Sequence, residues 1–125
     1  MKNKKCKLFT LILAIVVIFS TIAIPAFAAT NKTLNSEYST IYTNTSGKER
    51  YVWVEVFNQD ELHHTDIRML DKNKNVVWEE YGAIGTSASR KFTCGSNVAY
   101  IQARVGAKNI LGWLRPLVAS CNVWE

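Results

Sequence analysis

The chain has 125 residues, 48% of them hydrophobic, and carries 15 Lys and Arg against 10 Asp and Glu, a formal charge of +5. Four of those cations, Lys2, Lys4, Lys5 and Lys7, stand before a long apolar run, and no acidic residue precedes Glu37. From residue 29 onward 11 basic residues face 10 acidic ones, interspersed along the chain, which excludes a nucleic-acid binder, since that function needs cations gathered on one face.

The N-terminus has the three parts of a secretory signal peptide. Its Lys-rich start leads into an apolar run from Leu8 to Ile24, and Pro25-Ala26-Phe27-Ala28 supplies a small-x-small cleavage signal. The expectation is a signal peptide over residues 1–28 and a secreted product with no stable membrane insertion. The alternative is an N-terminal anchor with the domain outside, because the run is near the lower length limit for spanning a bilayer. Cys6 lies before the apolar run, so it cannot serve as a lipobox cysteine. The remaining stretch of about 97 residues has the size of one small domain, divided into a flexible arm over 29–36 and a folded domain over 37–125.

Along that domain the apolar residues recur with a period of two, and no helical period persists for three turns. Tyr38, Thr40 and Tyr42 alternate through a first strand that ends at Asn44-Thr45-Ser46-Gly47. Glu49 to Asn58 is the clearest strand. Thr65 to Leu70 and Asn75 to Tyr81 flank Asp71-Lys72-Asn73-Lys74, whose residues tolerate left-handed backbone, and so predict a hairpin. Tyr81 to Ser87, with its two glycines, lacks the lysine of a phosphate loop and suits a connection crossing from one sheet to the other. Ser87 to Cys94 and Asn97 to Val105 predict a second hairpin around Gly95-Ser96, and Leu117 to Trp124 closes the chain. The alternation puts Ala99, Ile101, Ala103 and Val105 inward, and likewise Leu117, Ala119, Cys121 and Val123. The fold class is all-β: a single β-sandwich of six or seven short antiparallel strands with immunoglobulin-like or jelly-roll connectivity.

Beyond residue 28 the cysteines are Cys94 and Cys121. An even number in an exported domain predicts a disulfide between them. Closing that loop of about 28 residues would contribute about 3 to 4 kcal/mol. Neither a CxxC motif nor a neighbouring histidine favours a redox or metal role.

Strand 49–58 carries apolar side chains on both faces: Val52, Val54 and Val56 on one, Tyr51, Trp53 and Phe57 with Glu55 on the other. Two arrangements stay open, a central strand covered on both sides or an exposed aromatic platform. Composition leans toward burial, because aromatic side chains bury so much area. On the platform reading Tyr51, Trp53, Glu55 and Phe57 are candidate ligand contacts, with aromatic rings for sugar faces and a carboxylate for hydroxyls. Trp113 joins them as an aromatic in a loop, where exposure serves binding as readily as plugging one end of a sandwich.

Asp60-Glu61-Leu62-His63-His64-Thr65-Asp66 is the one segment with metal-ligand residue types. Adjacent histidines on extended chain point to opposite sides, so both cannot readily reach one ion, and a solvated loop is the better reading. Neither metal nor cofactor is expected. An enzyme would need His63 or His64 to meet Asp66 or Glu61 in a cleft, and no nucleophile context supports one. Arg90, Lys91, Arg104, Lys108 and Arg115 could gather into a mild basic patch, although scattered solvating charge is the simpler expectation. Two functions fit this pattern: a secreted non-catalytic binding module for carbohydrate or a cell-surface partner, or a secreted toxin or bacteriocin-like protein acting on other cells.

Overall fold

The computed structural model describes residues 30–125, so the predicted signal peptide, residues 1–28, lies outside the described residues. Among the described residues there are eight strands and one helical turn. In chain order they are β1 (Thr30–Leu34), β2 (Ser39–Thr43), β3 (Arg50–Phe57), β4 (His63–Leu70), β5 (Val76–Ile84), β6 (Ser89–Cys94), β7 (Tyr100–Ala107), α1 (Ile110–Trp113) and β8 (Ala119–Trp124). They form two antiparallel four-stranded sheets, ordered β1-β8-β3-β6 and β2-β7-β4-β5. Among the described residues no helix is long and apolar enough to cross a membrane.

The pairing has a simple rule. β1 pairs with β8, β2 with β7, β3 with β6, and β4 with β5. The chain is thus one long hairpin with β4–β5 at its tip, rolled so that its successive pairs fall alternately in the two sheets. Two further pairings, β3 with β8 and β4 with β7, close each sheet.

Period-two alternation explains why these segments are strands and which way they face. Val52, Val54 and Val56 of β3, Ile101, Ala103 and Val105 of β7, and Ala119, Cys121 and Val123 of β8 all lie in one buried cluster with Ile67 and Met69 of β4. Burying each of the largest of these side chains contributes about 1.5 to 3 kcal/mol. Thr65 and Gln59 are polar but buried. The Gln59 amide donates to Thr65 Oγ1 at 2.9 Å and its carbonyl accepts from Ser87 N–H at 3.2 Å, so neither enters the core unsatisfied.

The expected β4–β5 hairpin forms, and its turn is built as the residues suggest. Asp71 Oδ1 accepts the backbone N–H groups of Asn73 and Asn75, each at 2.9 Å, while Lys74 takes a positive φ of 64°. The loop 85–88 does cross between sheets, from β5 to β6.

Three expectations are corrected. Residues 30–34 are not a flexible arm: Asn31 to Leu34 run antiparallel to β8, with Leu34 fully buried opposite Ala119, which raises the strand count to eight. Polar side chains hid this strand, because on an edge strand only the inward positions must be apolar. The segments around Gly95-Ser96 are not a hairpin, since β6 pairs with β3 in one sheet and β7 with β2 and β4 in the other. A short Gly-Ser connection reads the same whether the chain returns to its own sheet or steps to the opposite one.

The third correction concerns the cysteines, which are both buried free thiols. Cys94 sits opposite Arg50 at the start of β3, and Cys121 opposite Val56 near its end, on the other side of that strand. Their separation is therefore about 20 Å along the strands and about 10 Å across them, whereas a disulfide needs Cα atoms within about 7 Å. Both side chains do face the core, as expected. Facing the same core is not the same as meeting within it.

Candidate functional site

Because β3 is flanked by β8 and β6 and its valines face inward, its other face is displayed on the outside of the sheet. Tyr51 is 56% exposed and Trp53 39%, with Glu55 and Phe57 half-buried beside them. The platform arrangement, not burial on both sides, is the one formed.

The registers lay the face out in rows. Trp53 lies between Trp124 of β8 and Lys91 of β6, Glu55 between Asn122 and Ser89, and Phe57 beside Ser120. Rows two residues apart stand about 7 Å from each other along the strands. The Trp53 and Trp124 rings are nearly parallel, 8° apart in plane with centroids at 6.3 Å. Such cross-strand aromatic pairs contribute about 0.5 to 1.5 kcal/mol beyond area burial. Lys91 Nζ sits 5.3 Å from the Tyr51 ring centroid, a cation–π contact that holds a positive charge at the platform's edge. Four of the five residues singled out from the sequence therefore share one surface. Trp124 completes it: the alternation of β8 turns its side chain outward, and register sets it opposite Trp53.

The fifth, Trp113, is elsewhere. It is not in an open loop but ends α1, whose cap is Asn109: its side chain accepts from Gly112 N–H at 3.1 Å. The turn is anchored from below by His63, fully buried, with Nε2 2.8 Å from Gly112 O. Gly112 presses on the Leu62 carbonyl so closely that a Cβ there would stand 2.6 Å from that oxygen. Trp113 is consequently 63% exposed, pointing over the opposite sheet, together with Ile110, Leu111 and Leu114.

His63 and His64 open to opposite sides of β4, as adjacent residues of a strand must. They lie within the strand, not in the solvated loop expected of that segment. His64 is on the outer face of β2-β7-β4-β5, where its Nδ1 is 3.0 Å from Asp66 Oδ1. Asp66, only 2% exposed, is saturated: Gly82 N–H donates to Oδ1 at 2.8 Å and Arg104 Nε to Oδ2 at 2.9 Å. That contact holds the Arg104 guanidinium charged even more firmly than usual. The guanidinium also lies 4.4 Å from the Tyr38 ring and 5.7 Å from the Tyr81 ring. Tyr81 donates to Glu79, which keeps the phenol protonated to higher pH than usual.

The arginines weighed for a basic patch are paired one by one with carboxylates, in keeping with the scattered charge that was the simpler expectation. Arg90 pairs with Glu80, Arg104 with Asp66, and Arg115 with Asp60 at 2.8 Å. Leu62 N–H and Arg115 together hold the Asp60 carboxyl below its usual range, and backbone N–H groups of Asn75 and Asn73 do the same for Asp71. Burial pushes the Cys121 thiol up to about 11 and raises Cys94 as well.

No family model matches the chain, and no curated protein matches it. Among solved structures it is similar to a chain from Bacillus endospore appendages, described as a novel family of disulfide-linked pili. The two share 11% sequence identity with a TM-score of 0.47, over 77% of this chain and 80% of that one.

Proposed function

We propose that the protein is a secreted, non-catalytic binding module that takes carbohydrate on the outer face of the β1-β8-β3-β6 sheet. Its two sheets pack as a jelly-roll sandwich, a reading supported by the nested pairing of the first strand with the last, the second with the seventh, and so inward. Export is supported by the Lys-rich, apolar and Pro-Ala-Phe-Ala segments at the N-terminus.

The observation that carries the binding function is the near-parallel Trp53–Trp124 pair on an exposed sheet face. An exposed aromatic array costs solubility unless something stacks on it. Sugar rings have apolar faces edged with hydroxyls, which matches rings set among Glu55, Asn122 and Lys91. The interspersed charge argues for recognition of a neutral polymer over a polyanion.

The test is affinity electrophoresis or cosedimentation of the protein with a panel of neutral polysaccharides and purified cell walls. Trp53→Ala and Trp124→Ala, each checked by circular dichroism, should retain the fold and lose binding about tenfold or more. Retention of no polysaccharide by the unaltered protein, or undiminished retention by both variants, refutes the reading.

A further inference from the structure

We propose that the cavity over His64, Asp66 and Arg104, on the opposite sheet from the tryptophan pair, is a second binding site, and that it takes a single acidic sugar ring of the uronate type. The cavity measures about 330 Å³ and is lined by Tyr81 and Trp113 as well as by these three residues, a size at the lower end for small-ligand pockets and suited to one ring.

The construction of its floor separates support from contact. Asp66 is buried and has both oxygens engaged, so it offers a ligand nothing; it orients its neighbours. His64 Nδ1 stands 3.0 Å from Asp66 Oδ1, so its ring forms the floor beside that carboxylate. Arg104 spends Nε on Asp66, which leaves its two terminal nitrogens, a planar pair of donors spaced for a carboxylate. Tyr38 and Tyr81 beside the guanidinium limit its swing.

The backbone is shaped around this group. His64 lies on Gly106, where a Cβ would stand 2.6 Å from the ring's Cε1 and 3.2 Å from Asp66 Oδ2, so glycine is required for the ring to occupy its place. Gly82, with φ of +66°, turns its N–H onto Asp66 at an irregularity in the β4–β5 register. Bulges of this kind re-aim side chains next to functional sites. Tyr81 and Trp113, 65% and 63% exposed, add two aromatic rings to its lining. A carboxylate on Arg104 and a sugar ring against Trp113 use each of these features. The site does not depend on the carbohydrate platform of β3, from which a whole sandwich separates it.

The experiment is isothermal titration calorimetry of the full protein with glucuronate, its methyl ester, glucose and acetate. Expected are saturable binding of glucuronate and a loss of about tenfold or more for the ester, glucose and acetate, since each lacks either the charge or the ring. Trp113→Ala, at an exposed position, and Arg104→Lys should each weaken glucuronate by about tenfold, while Trp53→Ala leaves it unchanged. Absence of saturable binding, equal binding of the ester or of acetate, an unaltered Trp113→Ala, or loss in Trp53→Ala would each overturn the proposal. Failure of polysaccharide retention with glucuronate binding intact would sink the platform alone.

Discussion

Gly112→Ala separates local propensity from tertiary packing, because the two predict opposite signs. Gly112 is in α1, and replacing glycine by alanine inside a helix ordinarily stabilises by about 1 kcal/mol. Here the new Cβ would meet Leu62 O at 2.6 Å and Ala107 Cβ at 3.0 Å, a carbonyl oxygen and a packed side chain that cannot rotate away. That same carbonyl already accepts from Lys108 N–H at 2.8 Å, so it is held in place. The helical turn must lift instead, at an overpacking cost of about 1 to 3 kcal/mol. Lifting it withdraws Gly112 O from His63 Nε2, at 2.8 Å, and leaves a fully buried donor unpaired for about another 1 to 3 kcal/mol. The net is about 3 kcal/mol of destabilisation, or a fall in Tm of about 10 to 25 °C for a domain of this size. Urea and thermal unfolding monitored by tryptophan fluorescence measure it. An unchanged or raised Tm would show that α1 is not seated as described and that Trp113 is not fixed over its cavity.

Three further outcomes rest on the same geometry. Alkylation and peptide mapping should find Cys94 and Cys121 as thiols in native protein purified without reductant. They should be slow to react at pH 8, where burial keeps them protonated, and fast in urea; a Cys94–Cys121 crosslinked peptide would contradict the strand registers. Val54→Ala, at a fully buried position of β3, should cost about 2 kcal/mol in urea unfolding, and a change under about 0.5 kcal/mol would remove Val54 from the core. Asp60 and Asp71 have folded pKa values depressed below 3.8, so their contribution to stability is present above that value and is lost as pH falls through the lower folded values. Tm should accordingly drop below about pH 4, and Asp60→Asn with Asp71→Asn should flatten that drop; an acid limb of unchanged slope would assign it to other carboxylates.

Much of this molecule is legible from residues alone, and the reason is that alternation is a local signal. Val52-x-Val54-x-Val56 and Ile101-x-Ala103-x-Val105 declare strands and name their inward faces without reference to any partner. Asp71-Lys72-Asn73-Lys74 likewise carries its own turn chemistry, and the hairpin it predicts is the one formed. Adjacent His63 and His64 had to diverge by the geometry of an extended chain, and they do.

What needed the tertiary structure is everything that depends on which strand lies beside which. β1 escaped notice because its pairing with β8 joins the two ends of the described domain and leaves no mark in the polar residues themselves. The disulfide expectation failed for the same reason: two inward cysteines are compatible with a bridge until register places them at opposite ends of β3. Whether the aromatic face of β3 would be covered was undecidable from its own residues. Only the two-sheet stacking, with the valines turned to the single core, leaves Tyr51 and Trp53 outside and brings Trp124 against Trp53. Trp113 was grouped with these residues for its chemistry and parted from them by the fold, which carries it to the far sheet above His64 and Arg104. Sequence sets the period and hence the inside and outside of each strand, because sterics and solvent act residue by residue. Neighbourhood is set by the long-range closure of the hairpin's two arms, a property of the whole chain that no short stretch of it contains.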